Sequence, residues 1–128
     1  MGDDELIVRD VWGAIEYKGP GYFIAGGAGI TPFIAIFRQL QKEKNAGGNT
    51  LFFSNKTAGD IIYEEEFVNI LGKDAHFILT KESKPGYEDG HIGKKFLEAN
   101  ITDFSKHFYV CGPDKMISEI SSSLMNWV

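Results

Sequence analysis

Short apolar runs alternate with amphipathic helical patterns along most of this chain, and no other feature constrains its fold as strongly. Each run is short enough for a buried strand, and glycine-containing polar residues separate it from the helical pattern that follows. Such alternation predicts a parallel sheet that carries helices on both faces. The predicted strands are residues 22–25, 50–54, 76–80 and 107–110, and the predicted helices begin at Thr31, Glu64, Ile92 and Asp114.

Right-handed crossovers leave few topologies for such a sheet, and the usual mononucleotide-binding arrangement has strand order 3-2-1-4. We therefore predict the α/β class with that order. A fifth strand normally follows the last helix, and because the chain stops at Val128 we expect this strand to be truncated. Residues 6–17 suggest two short strands around Gly13, which predicts a short β-hairpin before the sheet.

A glycine-rich loop joins the first predicted strand to the first helix. Glycines there let the backbone approach a phosphate, and the helix N-terminus adds free N–H groups and a partial positive charge. We expect Thr31 to be the N-cap and Pro32 the first helical residue. Pro32 replaces the third glycine of a Rossmann fingerprint, and no Walker A lysine follows. A tight turn without a ligand is the alternative. The candidate pyrophosphate site consists of Gly26, Gly27, Ala28, Gly29, Ile30, Thr31 and Pro32.

A second glycine loop, which begins with Cys111-Gly112-Pro113, follows the fourth predicted strand. In the order 3-2-1-4 the first and fourth strands are neighbours, and a crevice opens at their carboxyl ends because the crossover direction changes between them. We therefore expect the two glycine loops to flank one crevice. Taken alone, Cys111 is more simply explained as a small buried hydrophobic residue.

Three motifs, GGAGITP, SNKTAGDIIYEEEF and CGPDKM, together resemble the nucleotide-binding domain of the ferredoxin–NADP reductase superfamily. That superfamily includes flavodoxin reductases, cytochrome b5 reductases and the reductase components of oxygenases. The resemblance covers about residues 19–125, and its specificity comes from three motifs in the family's order and spacing. It assigns residues 19–128 to an NAD(P)-binding domain and residues 1–18 to the remnant of a flavin-domain β-barrel plus a linker.

The resemblance implies roles for residues of the two glycine loops. Residues 26–32 would hold the pyrophosphate, with Thr31 reaching toward the nicotinamide ribose. Cys111, Gly112 and Pro113 would lie beside the nicotinamide, where Cys111 would have a catalytic role by helping to place C4 against the flavin.

The resemblance also places the end of the second strand, Ser54, Asn55 and Lys56, against the adenosine ribose, and it packs Met116 behind the second loop. A cation at Lys56 could pair with a 2′-phosphate. An Asp or Glu would favour a free 2′-hydroxyl, and none ends this strand. A solvated loop lysine is the alternative. The sequence thus leans toward NADP over NAD.

The family's flavin-binding signature, an Arg-x-Tyr-Ser/Thr strand, does not occur in this sequence. FAD is therefore expected from a missing domain, in a longer chain or a separate protein. We expect this chain to place NAD(P)H for hydride transfer to FAD, with electrons passing on to a ferredoxin- or flavodoxin-type carrier, and to be inactive alone. A non-catalytic NAD(P)-binding regulatory module is the main alternative. An FMN-binding flavodoxin-like domain is a weaker one, because it would have a Ser/Thr-rich phosphate loop.

Several other classes of function are disfavoured. The formal net charge is −5 and the lysines are scattered, which argues against nucleic-acid binding. The longest uncharged run, residues 19–37, is too rich in glycine and proline for a membrane span. The acidic N-terminus lacks a signal-peptide pattern, so a cytoplasmic location is expected. The histidines His76, His91 and His107 lack close ligand spacing, so no metal site is assigned.

Overall fold

The computed structural model describes residues 6–8, 17–102 and 106–125 of the chain. Its strands pair in parallel as one six-stranded sheet. The strands are β1 (Leu6–Val8), β2 (Gly21–Gly26), β3 (Thr50–Asn55), β4 (Ala75–Leu79), β5 (Glu88–Asp89) and β6 (His107–Cys111). The helices are α1 (Thr31–Lys42), α2 (Glu64–Leu71), α3 (Lys94–Asn100) and α4 (Asp114–Met125).

The order across the sheet is β1-β6-β2-β3-β4-β5. The four strands that the sequence predicted are β2, β3, β4 and β6, and within this order they lie as 3-2-1-4. The α/β class and the predicted order of these strands are therefore confirmed. The β2 and β6 strands pair directly, with Ala25 opposite Cys111, so the two glycine loops leave the same edge of the sheet side by side.

Both faces of the sheet are covered, which explains why the strands are apolar runs and not alternating sequences. All six residues of β2 are buried. Phe23 and Ala25 face a cluster that includes Phe33 and Phe37 of α1, whereas Ile24 faces a second cluster that includes residues of α3 and α4. The Phe23 ring lies 5.0 Å from that of Phe33 and 4.6 Å from that of Phe37. This packing fixes the start of α1, and with it the glycine loop, against the end of β2.

The N-terminal segment differs from the expected hairpin. Leu6–Val8 forms β1, which pairs in parallel with β6 at the edge of the main sheet, Leu6 opposite Phe108. In the usual arrangement a fifth strand would follow the last helix, and we expected it to be truncated in this chain. An edge strand has unpaired backbone N–H and C=O groups that can pair with another extended segment. In this chain β1 is the segment that pairs with those groups of β6. Residues 9–16, which contain much of the predicted hairpin, lie outside the described residues, and the assignment of residues 1–18 to a flavin domain stays a prediction.

The described part of the chain contains no helix of the length and apolar character needed to cross a membrane.

Candidate functional site

A cleft of about 390 Å³ opens at the carboxyl ends of β2, β3 and β4, next to the loop that follows β6. This is the edge of the sheet at which the predicted topology placed a ligand crevice. Seven of the candidate site residues that the sequence predicted line the cleft, and so do two residues that it did not predict. The lining residues are Gly26, Gly27, Ser54, Asn55, Lys56, Asp60, Thr80, Pro113 and Met116.

The two glycine loops pack against each other so closely that a side chain between them would not fit. A Cβ added at Gly29 would lie 2.6 Å from the carbonyl oxygen of Cys111 and 2.8 Å from the Cα of Gly112. Carbon atoms do not approach backbone that closely without displacement of one of the loops. Gly29 therefore holds the loops together, and it does so from behind the cleft because Gly29 is buried and is not among the cleft-lining residues.

Met116 fills the space between the same two loops. A Cβ at Gly26 would lie 2.5 Å from the Met116 Sδ, and a Cβ at Gly112 would lie 2.9 Å from it. The thioether of Met116 thus touches both loops and also lines the cleft. Met116 therefore packs against both loops, and its assignment to the nucleotide site stays a prediction.

The start of α1 differs in detail from the expected capped helix. Gly27–Ile30 forms a 3₁₀ turn that runs directly into α1. Ile30 occupies the N-cap position with helical dihedral angles, φ −67° and ψ −20°, and no side-chain cap is formed. Thr31 is therefore the first helical residue and the prediction of a Thr31 N-cap was wrong. A preceding 3₁₀ turn removes the extended N-cap geometry that such a side chain needs. The proline lies in the first turn of α1, as predicted.

Gly26 and Gly27 are the loop residues that line the cleft, among those whose burial the structure describes. Gly27 is exposed and has φ +53°, a conformation that glycine adopts without strain. Ile30 is fully buried in the cluster under α1. Thr31 is exposed and Pro32 is half-buried, and both lie outside the cleft lining.

Cys111 is fully buried, and its side chain belongs to the cluster beneath α1. Its backbone carbonyl packs against Gly29, as described above. In the same loop, Pro113 is exposed and lines the cleft. The structure thus places Cys111 below the cleft floor and Pro113 at its surface.

The end of β3 forms the opposite wall. Asn55 is only 6% exposed, whereas Lys56 is exposed and Ser54 half-buried. Pairing with β4 continues beyond the strands, since Thr80 N donates to Asn55 O and Lys81 N to Lys56 O, both at 2.9 Å. These bonds fix the backbone of this wall. The Asn55 Nδ2 atom is buried and has no hydrogen-bond partner among the described residues.

Two residues of this wall, Asp60 and Thr80, were missed from the sequence. Asp60 ends a 3₁₀ turn, Ala58–Asp60, that folds back over the end of β3. Its Oδ2 accepts hydrogen bonds from Thr57 N at 3.2 Å and from Thr57 Oγ1 at 3.0 Å, which forms a capping box. The Thr-x-x-Asp spacing was a usable signal for this turn. Thr80 directly follows β4 at the carboxyl edge, where the topology alone could have pointed to it.

The acidic start of α2 takes part in surface contacts away from the cleft. The pKa of Glu66 is lowered mainly by a hydrogen bond that Arg38 donates to it. The pKa of Tyr87 is raised mainly by the hydrogen bond, 2.7 Å long, that its hydroxyl donates to Glu64. Across residues 6–8, 17–102 and 106–125, no group of three or more His, Cys, Asp or Glu residues is placed to hold a metal ion.

Comparison with known proteins decides the family. Residues 23–122 match the family model for the oxidoreductase NAD-binding domain. The chain belongs to this family. The match spans both glycine loops and the cleft wall between them, and it confirms the resemblance to the ferredoxin–NADP reductase superfamily.

Relatives of this NAD-binding domain are reductases that are much longer than the chain. NADH-cytochrome b5 reductase 2 of Mycosarcoma maydis is 33% identical over 132 residues, which cover 94% of the chain and 37% of that protein. The reductase component of propane 2-monooxygenase from Mycolicibacterium goodii is 28% identical, over 89% of the chain and 37% of that protein. The chain therefore spans well under half the length of these relatives.

Solved structures with the same fold include the FAD/NAD-binding domain of nitric oxide dioxygenase from Vibrio cholerae. It superposes with a TM-score of 0.76 at 22% identity, covering 88% of this chain and 47% of that one. A cytochrome P450 reductase from Amycolatopsis gives a TM-score of 0.71 at 22% identity, and the superposition covers 84% of this chain and 34% of that reductase. At this identity the likeness shows the fold, and the fold is that of the NAD-binding domain.

Proposed function

We propose that the chain binds NAD(P)H across the crevice between β2 and β6 and presents the nicotinamide to FAD held by a separate domain. The close packing of the two glycine loops carries this proposal, because a Cβ at Gly29 would lie 2.6 Å from Cys111 O. Loops joined in this way bring exposed glycine backbone and a helix N-terminus to one cleft, which suits an anionic pyrophosphate. Membership of the NAD-binding family supports the same ligand.

The pyrophosphate would lie over Gly26 and Gly27, which line the cleft. The α1 helix begins immediately behind them and adds the partial positive charge of its N-terminus. Thr31 is exposed in the first turn of α1, and we assign it to the nicotinamide ribose. A backbone site of this kind can bind an anion although the chain has a net charge of −5.

The nicotinamide would lie against the second loop, with Pro113 at the surface and Cys111 beneath it. When bound, the nicotinamide supplies a hydride and the flavin accepts it. The part of this chain is to hold the ring in place, which is where most of the rate advantage of such a reaction arises. Because Cys111 is fully buried, its contribution would be the shape of the floor that sets the height of C4, and not proton transfer by the thiol.

Two side chains of opposite charge bear on the choice between NADPH and NADH. Lys56 is exposed and lines the cleft, which supports pairing with a 2′-phosphate. Asp60 lines the same cleft and would repel that phosphate. Relatives such as the cytochrome b5 reductase of Mycosarcoma maydis are named for NADH.

The electron acceptor of the complete system would be a protein carrier. The sequence pointed to a ferredoxin- or flavodoxin-type carrier, and the relatives are named for cytochrome b5 and for a propane monooxygenase. All of these names describe reductases that serve another redox protein. A cytoplasmic location stays a prediction from the sequence.

A calorimetric titration of the chain with NADH and NADPH tests the binding site, using Gly29→Ala against Gly47→Ala. The first substitution drives a methyl group into Cys111 O, whereas a Cβ at Gly47 meets no atom within 4 Å. We expect Gly29→Ala to weaken nucleotide binding at least about tenfold by separating the loops, at a stability cost of about 1–3 kcal/mol from overpacking.

The Gly47→Ala variant is expected to bind like the wild type. If Gly29→Ala remained folded and bound both nucleotides with wild-type affinity, the packed loops would not form the nucleotide site. If the wild type bound neither nucleotide, the proposed function itself would be wrong.

A further inference from the structure

The loop that contains residues 81–90, between β4 and α3, turns two side chains toward the rest of the protein. Within this range Glu82 and Tyr87 are half-buried, and the other residues are exposed. The Glu82 carboxylate accepts a hydrogen bond from Ala58 N at 2.9 Å, and the Tyr87 hydroxyl donates one to Glu64 Oε2 at 2.7 Å. Both half-buried side chains of this loop are therefore attached to the segment that follows β3.

That segment, residues 56–63, contributes to the cleft wall, since Lys56 and Asp60 line the cleft. Its own hydrogen bonds include short-range ones: Asp60 N donates to Thr57 O at 3.1 Å, and the Asp60 carboxylate accepts from Thr57 in return. Such bonds fix the shape of a turn. The bond to Glu82 spans 24 residues of the sequence, so it also fixes where the turn lies. A turn that is not held in place must be ordered when a ligand binds, and that ordering lowers the affinity.

The charge of Glu82 separates two roles that this residue could have. A carboxylate close to an anionic ligand repels it, so a direct electrostatic effect would weaken nucleotide binding. A carboxylate that accepts a bond from a backbone N–H instead strengthens the attachment of the wall, because charge-assisted hydrogen bonds are stronger than neutral ones. Glu82 lies outside the cleft lining, and its carboxylate is bonded to Ala58. The geometry favours the second role.

We propose that Glu82 is a positioning residue of the nucleotide cleft, which acts through Ala58 on residues 56–63, and that Tyr87 assists it through Glu64. The proposal rests on the proposed function, in which the adenosine half of NAD(P)H lies against this wall. Positioning of this kind requires a hydrogen-bond acceptor at residue 82 and does not require a charge there. Glu82→Gln retains an acceptor, whereas Glu82→Ala removes it.

Calorimetric titration with NADH and with 5′-AMP tests the proposal on the wild-type chain and its variants. We expect Glu82→Ala to weaken both ligands by the same factor, roughly fivefold to tenfold, because 5′-AMP is the half of NADH that meets this wall. Glu82→Gln should bind both within about threefold of the wild type, since a neutral acceptor makes a weaker bond to Ala58 N. Tyr87→Phe keeps the ring and removes the donor to Glu64, and it should weaken both ligands about threefold.

The matched control is Glu98→Ala, which removes an exposed carboxylate from α3 and should leave both affinities unchanged. Amide hydrogen exchange of the free chain gives a second readout. In Glu82→Ala the exchange of residues 57–61 should be faster than in the wild type, because the turn opens more often. The exchange of the buried strand β2 should not change.

The outcomes distinguish this proposal from the function on which it rests. Wild-type affinity of Glu82→Ala, an equal loss in Glu82→Ala and Glu82→Gln, or weaker binding of NADH but not of 5′-AMP would each overturn the positioning role. Tighter binding by both Glu82 variants would also overturn it, since direct repulsion predicts that sign. If Glu82→Ala does not fold, unchanged affinities in Tyr87→Phe decide against the proposal. Failure of the wild-type chain to bind NADH, NADPH and 5′-AMP would overturn the proposed function as well.

Discussion

At the scale of single residues, Tyr109 shows how much of the fold can depend on one buried hydroxyl group. Its ring is fully buried in β6, stacked 4.3 Å from Phe23. Its hydroxyl donates to Gly19 O at 2.7 Å and accepts from the N–H groups of Lys18 at 2.9 Å and Gly19 at 3.0 Å. A hydroxyl has one donor and two acceptor sites, so all are used. Tyr109 thereby ties the entry to β2 onto β6.

We expect Tyr109→Phe to lower the free energy of unfolding by about 1–3 kcal/mol, because it leaves part-buried backbone groups without a partner. Urea denaturation followed by circular dichroism measures the change. Tyr63→Phe is the matched control, since Tyr63 is 42% exposed and should change stability little. Equal midpoints for Tyr109→Phe and the wild type would contradict the role assigned to this hydroxyl.

Residue-level sequence reasoning found the glycine loops but not the complete cleft wall. Gly29 and Gly112 stand out in a sequence because glycine is the residue that close backbone packing requires. Asp60 lies five residues beyond β3, and only the 3₁₀ turn returns it to the cleft. The buried state of Cys111 was foreseeable as the ordinary state of a lone cysteine.

At the scale of elements, α1 and α2 are joined across their exposed surfaces by one ion pair. Arg38 donates from Nε to Glu66 at 2.6 Å and from Nη2 at 2.9 Å, and its guanidinium lies 5.2 Å from the centre of the Tyr63 ring. The hydrogen bond from Arg38 lowers the pKa of Glu66. The folded carboxylate therefore stays ionised at lower pH than the unfolded one.

This shift predicts the direction of a pH effect on stability. A carboxylate whose pKa is lower in the folded state stabilises that state at pH values above the pKa of the unfolded chain, which is about 4.3. This contribution is lost as the pH falls through the lower pKa of the folded state. We expect Glu66→Gln to be less stable than the wild type at neutral pH, and the difference to vanish in acid. Thermal unfolding across this range measures it, with the exposed neighbour Glu65→Gln as control. A difference that persists or grows in acid would contradict the pairing.

The elements were predictable to unequal degrees. The strands β2, β3, β4 and β6 were found from apolar runs because both faces of the sheet are covered. The short edge strands were less predictable: residues 6–8 were expected in a strand of a hairpin and not in the sheet, and β5, with two residues, is too short to show any periodicity. The β1 strand is defined by its pairing with β6, which is a tertiary contact and leaves no local pattern.

At the scale of the whole molecule, the proposed function makes the chain one half of a hydride-transfer site. Its 128 residues contain the cleft to which we assign the nucleotide, and the flavin-binding signature of the superfamily does not occur among them. Without a flavin held at a fixed distance from C4, the advantage of proximity is lost. We expect this chain to bind NADH yet to oxidise it no faster than buffer when free FAD and ferricyanide are added. Sustained turnover under these conditions, measured by NADH absorbance, would contradict the division of labour between domains.

The measurement that tests the central claim most directly is a map of backbone amide NMR signals during titration with NADH. The claim places the nucleotide at the carboxyl edge of the sheet, so the signals of Gly27, Lys56 and Gly112 should shift in a saturable way. A second cavity of about 370 Å³, lined in part by Ile36 and Gln39 of α1, serves as an internal control whose signals should stay in place. Shifts confined to that second cavity, or no saturable shifts, would contradict the account.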